Sequence, residues 1–124
     1  MIITYCVLAI VYSGMLIFSG VLKVQHDPQS IEIIHKLIGV PLELFPVLAA
    51  CEFAGALGLL TGIRWAGIGI AAAVGLVIYF VGAIVSHVFA GDAGGIGSPG
   101  FMLAIAATLL LTRVKSRARA SRAA

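Results

Sequence analysis

Residues 44–63 read LFPVLAACEFAGALGLLTGI. The stretch holds one charged side chain, Glu52, and is otherwise apolar or small. A helix needs about 20 such residues to cross a hydrocarbon core about 30 Å thick. Small residues recur every fourth position, at Ala50, Ala54, Gly58 and Gly62, near one helix face. Gly55 and Ala56 fall on another face, beside Glu52. Lipid tails give little hydrophobic drive for helix association, so small side chains are what let two backbones approach. A helix that is small on two sides is expected to be packed on two sides. This places the segment centrally and makes Gly58→Leu disruptive.

Working outward, three more runs have the same character. Ile2–Leu22 and Ile96–Thr112 carry no charge, and Trp65–Ala90 has no Asp, Glu, Lys or Arg but has His87 near its end. Breakers separate them: Asp27-Pro28, Gly39-Val40-Pro41, Gly62-Ile63-Arg64, and Gly91 through Gly100 with Pro99. Ile2–Leu22 lacks the basic start and small-x-small site of a cleaved signal, so it is read as an uncleaved span. Composition agrees. Apolar residues make up 61% and charged residues 10% of 124, with mean hydropathy +1.15. That is too little polar surface for an ordinary soluble enzyme, a disordered segment or a secreted disulfide scaffold. The expected fold is all-α, an integral membrane four-helix bundle.

The first loop is long enough to carry structure. Asp27 can cap a helix that has Pro28 at its first position. Ile31, Ile34, Leu37 and Ile38 follow at helical spacing, with Glu32, His35 and Lys36 on other faces, and Gly39 and Pro41 end the run. The pattern predicts a short amphipathic interfacial helix between spans one and two.

The net charge of +3 and pI near 9.2 come from one place. Arg113, Lys115, Arg117, Arg119 and Arg122 follow the last apolar run. The chain therefore divides into a four-span domain, 1–112, and a basic tail, 113–124. Such a tail reads as a topology signal and a contact for anionic lipid heads, not as a nucleic-acid site. With four spans both termini share a side. That side holds Arg64 and the tail, while the other holds Lys23 and Lys36. The positive-inside rule puts both termini in the cytoplasm, in a multi-pass protein of the bacterial cytoplasmic (inner) membrane.

Ionisable residues within spans are costly, roughly 2.5–3.5 kcal/mol on insertion scales, and they mark candidate sites. Glu52 lies about 12 Å inside span two at 1.5 Å per residue. His87 lies near the same end of span three, at an expected offset of about 7 Å. These two are the candidate catalytic residues. Tyr12, Ser19 and Lys23 fall within about 40° on a helical wheel, a polar stripe on span one. With Asp92 of the GDAGGIGSPG loop they are the candidate binding residues. Cys6 and Cys51 sit in apolar runs without a CxxC, and no haem, flavin, metal, phosphate-loop or Ser-His-Asp motif is present. No metal site is expected.

Three motifs resemble the DoxX-like family of small four-span bacterial membrane proteins: SGVLK (19–23), CEFAGALGLLTG (51–62) and GAIVSHVFAGD (82–92). The resemblance covers roughly residues 5 to 112. It implies a four-helix bundle and a link to quinone-dependent redox work, since relatives include a membrane subunit of thiosulfate:quinone oxidoreductase. Lys23, Glu52 and His87 carry over as matching motif positions. This chain has no periplasmic domain and no extra cysteine motif, which argues against direct sulfur chemistry.

The leading expectation is a protein that binds a quinone or similar lipophilic small molecule within a membrane redox system. Its partners would be the lipid bilayer and a redox protein or a second copy of the chain. A competing reading is a stand-alone membrane enzyme doing acid–base chemistry on a lipophile, as an isomerase, cyclase or epoxide-opening enzyme. A third is a non-catalytic assembly subunit whose polar residues glue helices together.

Overall fold

The computed structural model describes residues 2–25, 28, 42–91 and 93–123. The expected interfacial helix and Asp92 lie outside them. Among the described residues four helices form the chain: α1 (Ile2–Val24), α2 (Phe45–Thr61), α3 (Ala66–Phe89) and α4 (Gly97–Ala123). One-turn 3-10 segments precede α2 (Leu42–Leu44) and α4 (Ala93–Ile96). α1, α3 and α4 are long and apolar enough to cross a bilayer. α2 has 17 residues, about 26 Å and the short end of the spanning range. The protein is an all-α membrane helical bundle.

The breakers act locally as their chemistry dictates. Pro46 sits in the first turn of α2, where its missing N–H would have had no helical partner. Gly91, at φ 75°, ends α3 in a left-handed conformation that only glycine adopts freely. Thr61 through Trp65 turn α2 into α3 with backbone bonds from Gly62, Ile63, Arg64 and Trp65 to the carbonyls of Gly58, Leu60 and Thr61.

The helices pack in a ring, α1 on α2, α2 on α3, α3 on α4, and α4 back on α1. α2 is thus packed on two sides. The inward stripe of α1 is Tyr5, Ala9, Tyr12, Leu16, Gly20 and Lys23, spaced by fours and threes. It meets Ala56 and Leu59 of α2, Ala73, Leu76 and Phe80 of α3, and Ala106 and Leu109 of α4. Large side chains such as Val7, Phe18, Leu57, Ile78 and Leu111 point outward, as a bundle dissolved in lipid requires.

The small-residue ladder sits one face away from its expected place. The rungs that meet α3 are Gly55 against Leu76, Gly58 against Ala72 and Gly62 against Gly69. A Cβ at Gly58 would come within 2.7 Å of the Ala72 methyl, and one at Gly62 would strike the Gly69 backbone. Ala50 and Ala54 are exposed. The four-residue repeat drifts around the helix, whereas the 55, 58, 62 spacing of three and four holds one face.

α4 does not stop where the basic residues start. It runs unbroken through Arg113 to Ala123. Arg113, grouped with the tail by composition, is 7% exposed and turns inward. Its Nε donates to the Gly62 carbonyl at 2.7 Å, and its other nitrogens reach Ile63 O and Ser116 Oγ. The guanidinium lies 5.4 Å from the Tyr5 ring centroid, and the Tyr5 hydroxyl donates to Leu59 O at 2.7 Å. This joint satisfies carbonyls that the end of α2 leaves without helical partners and ties α1, α2 and α4 together at the basic end.

Candidate functional site

At the opposite end the α2–α3 seam changes character. The rungs Gly62–Gly69, Gly58–Ala72 and Gly55–Leu76 keep one antiparallel register. One turn further, the same register places Glu52 against Tyr79. The Tyr79 hydroxyl donates to Glu52 Oε1 at 2.8 Å. From the other side Lys23 Nζ of α1 forms an ion pair with the same oxygen at 2.6 Å and donates to Ser19 Oγ at 2.7 Å. The side chains are 2% (Glu52) and 10% (Lys23) exposed. Glu52 Oε2 is buried and has no hydrogen-bond partner among the described residues.

Lys23, Ser19 and Glu52, three of the expected site residues, therefore meet in one network. The helical wheel had put Lys23 and Ser19 on a common stripe, and the structure closes that stripe onto α2. Tyr12 shares the stripe but is used differently. Its hydroxyl donates to Met102 O of α4 at 2.9 Å, and its ring tilts against Phe80 at 6.4 Å. His87 is buried on the Phe80 face of α3, eight residues beyond Tyr79, or about 12 Å along the helix axis. Tyr79 takes the place beside Glu52.

Tyr79 was missed by sequence reasoning. Its one signal is a hydroxyl in an otherwise apolar run, which needs a partner when buried. Its ring packs edge-on to Phe80 at 5.0 Å, which fixes the direction of the hydroxyl. Ser13 was missed for the same reason; it donates to Ala56 O at 3.2 Å and ties α1 to α2 just inside the network.

Outside the seam, α2 and α3 leave an open groove of about 660 Å³ on the outer face of the bundle. Cys51, Ala54 and Gly58 form one wall, and Ala71, Gly75 and Tyr79 form the other. Tyr79 thus belongs both to the groove and to the carboxylate network. Among the described residues no group of three His, Cys, Asp or Glu side chains is placed to hold a metal ion.

The arrangement has a definite chemical capacity. A carboxylate with one oxygen saturated by a cation and a phenol retains full acceptor capacity on the other. A buried acceptor without a donor costs about 1–3 kcal/mol, so Oε2 is suited to a hydroxyl or a proton brought to it.

The family model described as the DoxX-like family matches residues 7–109. The chain belongs to the DoxX-like family. No curated protein and no solved structure matches it.

Proposed function

We propose that this DoxX-like membrane protein binds the polar head of a lipophilic small molecule of the quinone type at Lys23, Glu52 and Tyr79, as a membrane subunit of a redox system. The observation that carries the reading is Glu52 Oε2, buried and without a hydrogen-bond partner among the described residues, beside a fully bonded Oε1. A ring hydroxyl would donate to Oε2, and the Lys23 ammonium, with one N–H beyond those given to Ser19 and Glu52, is the donor for a ring oxygen, while Tyr79 holds the carboxylate through Oε1. The donor set fits either form of such a head. A quinone, when bound, would supply two-electron, two-proton redox chemistry. The chain's own part is to hold the ring, exclude water and take or return a proton at Glu52 Oε2. His87, further along α3, is the group we assign to pass that proton toward the site-end surface. The positive-inside count puts that end on the periplasmic side of the bacterial cytoplasmic membrane and both termini in the cytoplasm.

The test is native mass spectrometry of gently solubilised protein, with identification of the co-purifying small molecule. A quinone retained by wild type and lost in the Lys23→Met, Glu52→Gln double variant supports the proposal. The double variant is chosen because Glu52→Gln alone would leave Lys23 buried and unpaired. Retention in the double variant would make the network structural and favour the assembly reading.

A further inference from the structure

We propose that the ligand carries a long apolar tail and that this tail lies in the α2–α3 groove, entering sideways from the bilayer. The inference rests on the head-group reading above and names the substrate class that site selects.

Helix packing explains only some of the small residues on this face. Cβ atoms at Gly55, Gly58 and Gly62 would collide with α3, so glycine there serves the seam. A Cβ at Gly75 would meet nothing within 4 Å, and Ala54 and Ala71 are exposed. These positions gain no closer helix contact from being small. Elsewhere the outward surface is largely bulky, with Val7, Ile10, Phe18, Leu57, Val81 and Leu111 exposed, and open glycines such as Gly14 and Gly82 stand singly and not opposite one another across a seam. A recess kept open by small side chains amid such a surface has a shape that lipid-facing residues do not require.

The volume of about 660 Å³ falls within the roughly 300–1,000 Å³ typical of small-molecule pockets. The recess is lined mainly by apolar groups, and at one end its wall is Tyr79, the residue whose hydroxyl donates to Glu52, the partner of Lys23. The distribution is complementary to an amphiphile with a small polar ring and a long hydrocarbon chain. Because lipid tails are as apolar as the groove, the groove selects by shape, and filling it excludes the tail.

The test measures binding of two probes in detergent. One is a benzoquinone bearing a long isoprenoid tail, and the other is the tailless parent ring. The groove-filling variants are Gly75→Leu and Ala71→Leu. Gly14→Leu on α1 is the control, where a Cβ also meets nothing within 4 Å. The expected result is that both groove variants weaken the tailed probe by about tenfold or more, equivalent to about 1.4 kcal/mol. They should leave the tailless probe unchanged, and Gly14→Leu should change neither. Equal binding of the tailed probe to wild type and groove variants overturns the groove while leaving the head-group reading standing. Failure of wild type to bind either probe overturns both. Rapid oxidation of membrane-embedded protein to a Cys51–Cys51 dimer, in a Cys6→Ala background, would show a second copy seated in the groove and overturn the proposal.

Discussion

The Tyr79 hydroxyl and Glu52 Oε1 stand 2.8 Å apart at the point where the glycine rungs between α2 and α3 give way to a polar rung. One register therefore sets both the close approach of the Gly62 and Gly69 backbones and the position of the buried Glu52 carboxylate. A change that slips the lower rungs moves the upper one.

Removing one partner of the Lys23–Glu52 pair should be worse than removing both. Glu52→Gln leaves an ammonium buried without its counter-charge, a loss of about 3–5 kcal/mol. The Lys23→Met, Glu52→Gln double variant should recover most of it. Thermal unfolding of the variants in one detergent checks this. A double variant less stable than Glu52→Gln would mean that the pair is not coupled as the geometry requires.

Tyr79→Phe removes one donor from Oε1 and leaves Lys23 in place. The expected stability loss is modest, about 0.5–2 kcal/mol. The affinity for a quinone head should fall as well. A variant with wild-type affinity would remove Tyr79 from the binding set.

The glycines should divide sharply. Gly62→Ala meets the Gly69 backbone, which cannot yield as a side chain can, so a loss of about 1–3 kcal/mol is expected from overpacking. Gly75→Ala meets open space and should be neutral or slightly stabilising through helix propensity. Paired thermal melts decide the matter; equal effects would refute the register.

Arg113→Lys should destabilise almost as much as Arg113→Ala. A single ammonium cannot reproduce the planar guanidinium that reaches two carbonyls and Ser116 while covering the Tyr5 ring. Arg119→Ala, at an exposed position, should leave stability within about 0.5 kcal/mol of wild type. Unfolding midpoints of the three variants provide the comparison.

The bundle was legible because hydropathy and breakers act along the chain. Glu52 and Lys23 were legible because a charge in an apolar run stands out by itself. What sequence did not carry was register. Nothing local tells Tyr79 that it will be level with Glu52, so His87, the more obviously polar neighbour, drew the pairing instead. The ladder was misplaced for a related reason. Ala50 and Ala54 match Gly58 in size and spacing, and only the path of α3 reveals that Gly55 belongs to the seam. Arg113 was grouped by charge with residues that point outward, because composition changes at that position while the helix does not.

The continuity of α4 has a mechanical consequence. Beyond Gly100 it contains neither glycine nor proline, and Arg113 anchors it to the end of α2 and to the Tyr5 ring of α1. The segment from Val114 to Ala123 projects about 15 Å past that anchor at 1.5 Å per residue. A reporter fused after it would ride on a strut, not a tether. Rotation of α4 by even a fraction of a turn would swing the reporter through an arc, so polarised fluorescence from the C-terminus could follow rearrangements of the bundle that leave its helical content unchanged.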